Sequence, residues 1–224
     1  MGRGIRLDLD DLRKRQAVQR LATLIGCLPG AAAFDPDEVA RAATACLTYA
    51  VEQGFTLGRG ATVVGLLAAQ FGLGFMHDAA HPQLAAVFQT DIVENEPYRL
   101  ALINQWADWH AKRLVSVTPE AKFGRLSRLC RLIDDHGIAC LSQNPAALFH
   151  AIDPAMATAA APAQWDGVAS QWQGYFTQVF PTAGQSQLDY ARALAFCLGQ
   201  YFTSDPLWDR FSDLRIERLR ALES

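Results

Sequence analysis

The chain has 224 residues, half of them apolar and 19% charged, with a formal net charge of −3. That length holds one large or two small domains with an ample core, and the composition excludes intrinsic disorder. The slightly acidic balance excludes non-specific nucleic-acid binding as the main activity, because that work needs a basic domain.

The opening segment, MGRGIRLDLDDLRKRQ, lacks the apolar core of a secretory signal, and Arg6 stands where a myristoylation motif wants Ser or Thr. Apolar residues then recur at helical spacing (Leu9, Leu12, Ala17, Leu21, Leu24, Ile25), with Arg13, Lys14 and Arg20 among them, which predicts a helix over 8–26. Asp35-Pro36-Asp37-Glu38 starts the next, over 36–53: Pro36 suits the first helical position and Glu38 the capping-box position. Gly54 and, later, Gly137 read as left-handed helix stops. The same punctuation predicts helices over 60–74, 82–90, 97–115, 119–136, 145–151, 154–161, 164–179, 186–202 and 206–222. Seven of the ten prolines follow a residue suited to a loop end or cap, among them Asn144-Pro145, Asp153-Pro154 and Asp205-Pro206. Strand candidates are confined to 114–117 and 175–179, both short and without a clear partner.

The predicted fold class is therefore all-α, a multi-helix bundle of about ten helices. It divides into a helical N-terminal half over 1–115 and a helical C-terminal half over 116–224, with one continuous domain as the alternative. The most apolar run, 61–76, is shorter than the roughly 20 residues that cross a bilayer and is interrupted by Gln70 and glycines, so a buried core helix is expected and no stable membrane insertion. Cys27, Cys46, Cys130, Cys140 and Cys197 are odd in number and scattered among apolar helical residues, as reduced thiols serving as small hydrophobes are, which points to the cytoplasm. LAAQFGLGFMHD at 67–78 and LAFCLGQYFTSD at 194–205 align without gaps. Two readings stand for this: an internal repeat of a buried helix ending at an aromatic turn, or coincidence between two helices rich in Ala and Leu.

The residues that carry chemistry are few. His77 and His81 are spaced as zinc ligands on one helix face would be, but Pro82 biases His81 away from helical geometry and Asp78 replaces the usual general-base Glu. A polar interhelical loop is favoured, with no metal and no cofactor. Asp108 and His110 face apart on a helix, and Asp134 to His136 read as a solvated helix end. No G-x-S-x-G occurs, and Ser186 lacks the second glycine. The 54–60 segment GFTLGRG has the glycines of a phosphate loop without its Lys-Ser/Thr pair, so a helix-to-helix turn is expected. Lys122, Arg125, Arg128 and Arg131 recur every third residue, with Glu120 as the one acid of their helix. Either this is an ordinary solvated face or it is a partner-binding surface for an acidic protein. On the second reading, reversing Arg125 and Arg128 slows association and leaves stability nearly unchanged.

Between Gln16 and about 114 the sequence shows Tyr49-Ala50, then Gly54-Phe55-Thr56, a long apolar helix, Gly72, Phe75, Asp78, Pro82 and Leu84, and finally Arg99-Leu100 and Trp106-Ala107. This pattern resembles a family of small, uncharacterised helical proteins encoded beside type VI secretion effector and spike genes. The family's usual Gly-Ile-Thr is Gly-Phe-Thr here, and its following acid is replaced by Gly58-Arg59. The resemblance carries no activity. It implies a non-enzymatic protein-binding module: an adaptor, chaperone or immunity partner for a secreted bacterial effector. The alternatives left open by the residues are a metal- or small-molecule-dependent helical enzyme using His77 and His81, and a membrane-active helical toxin unpacking 61–76.

Overall fold

The computed structural model describes residues 9–28, 34–88, 92, 94–113, 119–157 and 161–204. Among them are nine α-helices and no strand: α1 (Leu9–Gly26), α2 (Pro36–Glu52), α3 (Arg59–Phe71), α4 (Glu96–Arg113), α5 (Pro119–His136), α6 (Pro145–Ile152), α7 (Pro154–Ala157), α8 (Pro162–Val179) and α9 (Gln185–Leu198). The all-α multi-helix expectation holds. Of the strand candidates, 175–179 lies inside α8, while 114–117 and the helix expected over 206–222 fall outside the described residues. The segment 82–90 also differs from expectation, forming a 3₁₀ helix over Pro82–Phe88.

Local chemistry sets the boundaries. Asp35 accepts from the Asp37 amide at 2.7 Å while Glu38 returns to the Asp35 amide at 2.8 Å, completing the capping box read from sequence. Asn144 caps α6 through the Ala147 amide at 3.2 Å, ahead of Pro145 at the first helical position. Gly54 and Gly137 adopt φ of 78° and 69°, the left-handed stop expected of each.

The helices 60–74 and 186–202 stop short of their predicted ends for a shared reason. α3 ends at Gly72 (φ 96°, ψ 156°) and α9 at Gly199 (φ 100°, ψ 155°), a backbone region open essentially to glycine alone. Each glycine amide bonds the carbonyl four residues back, Ala68 or Ala195. Each corner then turns into a 3₁₀ helix, Phe75–His77 or Phe202–Ser204, beginning on a buried phenylalanine. The repetition extends upstream. Val39, Ala43, Cys46 and Ala50 are the buried face of α2, and Trp165, Ala169, Trp172 and Phe176 repeat their spacing on α8. Ala61, Val64, Leu67 and Ala68 of α3 are matched likewise by Leu188, Ala191, Leu194 and Ala195 of α9. Two copies of one unit, a helix pair closed by a glycine corner, therefore share a backbone plan.

Each unit has its own core. Leu21, Ile25, Leu47, Phe55, Phe75, Ile103 and Trp106 belong to the first, around α1–α4. Leu126, Leu129, Phe149, Trp165, Trp172 and Phe196 belong to the second, around α5–α9. The two glycine corners meet between them. Asp78, 4% exposed, accepts the Gln200 amide at 2.7 Å through Oδ2, and the Trp172 indole N–H at 3.0 Å and the Ala80 amide at 2.8 Å through Oδ1. Gln200 reciprocates, its Oε1 accepting the Ala79 amide at 3.1 Å. A Cβ on Gly199 would stand 2.9 Å from the Phe71 carbonyl oxygen, so the corner needs glycine for space as well as for φ.

Two glycine-to-alanine changes should then act in opposite directions. Gly199→Ala should cost about 2 kcal/mol or more, from forbidden φ/ψ and the Phe71 clash. Gly167→Ala, within α8 and with nothing near its would-be Cβ, should stabilise by up to about 1 kcal/mol. Urea denaturation midpoints of the two variants check this.

Candidate functional site

The basic stripe on α5 does not form one outward surface. Arg125 is buried, 2% exposed, because it stands one i+4 step before Leu129 and two before Ile133, on the face that enters the second core. Its Nε donates to the Cys197 carbonyl at 3.1 Å, in the last turn of α9, and its Nη1 lies 3.5 Å from Asp153. Burial pushes the Arg125 pKa down, while Cys197 and Asp153 hold it up. Arg128, though partly exposed, donates to the Ile152 carbonyl and places Nη2 3.7 Å from Asp153. The two arginines thus cap the C-terminal ends of α6 and α9, where carbonyl dipoles favour a cation. Arg131 is exposed, and the Lys122 side chain lies outside the described residues.

The expected neutrality of changes at Arg125 is therefore corrected. Arg125→Ala should lower stability by about 3 kcal/mol, since removing one partner strands the buried Asp153 and Cys197 acceptors. Arg131→Ala should stay within about 0.5 kcal/mol. Chemical denaturation of both variants separates the structural arginine from the solvated one.

The two histidines serve different contacts. His77 pairs Nε2 with Gln53 Oε1 at 3.0 Å and stacks on Phe88, ring centroids 4.3 Å apart; burial lowers its pKa. His81 is buried edge-on against Phe71 and Trp106, and burial pushes its pKa down to about 4, so the ring is neutral near pH 7. Among the described residues no three His, Cys, Asp or Glu gather as a metal site would require. Asp134, Asp135 and His136 are exposed at the end of α5. The tryptophans Trp106, Trp165 and Trp172 are buried in the cores, whereas Cys27 is exposed, unlike Cys46, Cys140 and Cys197. No described helix is long and apolar enough to cross a membrane.

The glycine-rich 54–60 segment is a helix-to-helix turn held by α4. Glu96 accepts from the Thr56 amide at 3.1 Å and from its hydroxyl at 2.7 Å. Arg99 donates to the Gln53 carbonyl at 2.7 Å and lies 4.2 Å over the Phe55 ring. Gly60 is required here, since a Cβ would collide with Glu96.

Fixing this turn creates the largest cleft among those lined by described residues. α1 packs inward through Leu21 and Ile25, coming close to α3 where Gly65 has no side chain. Its other edge faces the turn across a groove of about 780 Å³. Arg13, Gln16 and Arg20 line one wall, with Leu24, Leu57 and Gly58 completing it. Leu24 and Leu57 are 38% and 41% exposed, an unusual state for leucine side chains that share one groove. None of the lining residues is acidic; Asp10 pairs with Arg13 from outside, at 3.5 Å. The sequence marked Arg13 and Arg20 only as cations within an amphipathic helix. That they face Leu57 depends on how Glu96 and Arg99 hold the turn. Comparison with known proteins finds no matching family model, curated protein or solved structure.

Proposed function

We propose that the chain acts by binding another protein, as an adaptor, chaperone or immunity partner for a secreted bacterial effector, and that the groove beside α1 receives an acidic amphipathic segment of that partner. The observation that carries this reading is the pairing of two exposed leucines with two arginines in one groove. Leucines supply apolar area for a helix face, and the cations favour a partner with carboxylates along its edge. The effector setting rests on the sequence resemblance of the first half. A protein-binding role does not require the α5 stripe, whose arginines Arg125 and Arg128 are committed to the fold.

The test is native pull-down with wild type and with an Arg20→Glu, Leu57→Asp double variant of unchanged helical content. A partner captured by wild type and lost by the variant supports the groove. Its association rate should fall with added salt for wild type and change little with salt for the variant. Undiminished capture by the variant removes the groove from the interface. Turnover of a small substrate with no partner recovered would favour an enzyme instead.

A further inference from the structure

The two-unit plan assigns a role to a second cavity. In the first unit α4 lies along α3. Its Glu96 binds Thr56 of the α2–α3 turn, and the same carboxylate and Leu100 lie against Gly60. Farther along α4, Trp106 packs on Phe71 and Phe75, with centroid distances of 4.7 and 5.4 Å. The seat of α4 thus runs from the turn threonine, past the first residues of α3, to the phenylalanine of the glycine corner.

The second unit presents the same seat. By the repeat register, Thr56 corresponds to Thr182, Gly60 to Gln187 and Phe75 to Phe202. All three counterparts line one cavity of about 330 Å³, whose remaining wall includes Val179, Tyr190 and Leu194. Val179 is 39% exposed, although it is a large apolar residue beside a core. In the first unit an amphipathic helix with an acid in its first turn and a tryptophan near its third covers this surface.

We infer that the cavity between the α8–α9 turn and the corner phenylalanine Phe202 is a docking seat for an amphipathic helix of a protein partner. The chemistry of that helix follows from α4: a carboxylate in the first turn to meet the Thr182 hydroxyl, then an apolar stripe ending in an aromatic ring against Phe202. The difference at Gln187 tunes the seat. Its Oε1 accepts the Gly184 amide at 2.8 Å, and the side chain fills space that Gly60 leaves to Glu96, so the docked helix sits farther from the start of α9 than α4 does from α3. This surface is separate from the groove beside α1 and uses none of its residues.

The α4 sequence itself is the probe. A fluorescently labelled peptide of residues 96–113, EPYRLALINQWADWHAKR, is titrated into the full chain and followed by anisotropy. Saturable one-to-one binding is expected, weakened at least tenfold by Val179→Glu in the chain and unaffected by Arg20→Glu. Thr182→Ala in the chain and a glutamine in place of Glu96 in the peptide should each weaken binding, with the combination no worse than either alone. Unchanged thermal melting of the Val179→Glu chain keeps the result interpretable. A photoreactive residue at position 179 should cross-link to the peptide. Absence of saturable binding, or binding indifferent to Val179→Glu, overturns the inference. So does a cross-link from position 179 to the chain's own residues 205–224, which would make the occupant intramolecular. Sensitivity to Arg20→Glu would also overturn it, by placing the peptide in the α1 groove.

Discussion

A single carboxylate joins the two cores. Asp78 is taken almost wholly out of water and accepts hydrogen bonds from the backbone of its own corner, the indole of α8 and the backbone of the opposite corner. Burial pushes its pKa up, and the three donors pull it down. A buried carboxylate is tolerated only where its oxygens are satisfied, so the position of each donor is constrained by the others. That constraint explains the neighbouring glycines. The Gly199 corner approaches the Phe71 carbonyl, and Tyr201 lies across Gly74, where a Cβ would stand 2.6 Å from the ring. Without both close approaches, Gln200 could not present its amide to Asp78.

The two units reach similar backbones by different packing. In the first, Ala42, Ala43, Ala50, Ala61 and Ala68 let α2 and α3 come close, and Gly65 admits Leu21. In the second, aromatic rings fill the corresponding space, with Phe149 stacked on Phe196 at 4.3 Å and edge-on to Trp165 at 5.5 Å. Cores accept such exchanges when total volume and apolar pattern are kept. What the exchange alters is the surface: α4 closes over the small-residue unit, while the aromatic unit carries an open cavity at the matching place. Function in a helical protein of this kind resides in such differences between copies.

Features fixed by neighbours in sequence were legible from the residues alone. The capping box at Asp35 and Glu38, the prolines opening α2, α5, α6, α7 and α8, and the stops at Gly54 and Gly137 involve residues a few positions apart. The glycine corners were only half legible, because the repeat was visible but φ near 100° is not. Arg125 was misread from its spacing to other cations, although its i+4 relation to Leu129 and Ile133 placed it on the buried face. Its acceptors lie in α6 and α9, too far along the chain for any local pattern to show. The seam and the α1 groove share that property: Asp78 meets Trp172, and Arg13 faces Leu57, only once the helices are packed.

The account rests on the Asp78–Trp172 bond as a coupling between the two units, and a double-mutant cycle measures that coupling directly. Stability is determined by urea denaturation for wild type, Asp78→Asn, Trp172→Phe and the double variant. Asn keeps the side chain's shape, and Phe keeps most of the ring while removing the indole donor. A coupling energy of about 1–3 kcal/mol is expected, because each single change strands the other's buried partner and the second change adds little. Strictly additive losses would contradict the account, and would mean that the two units are held together by apolar contact alone.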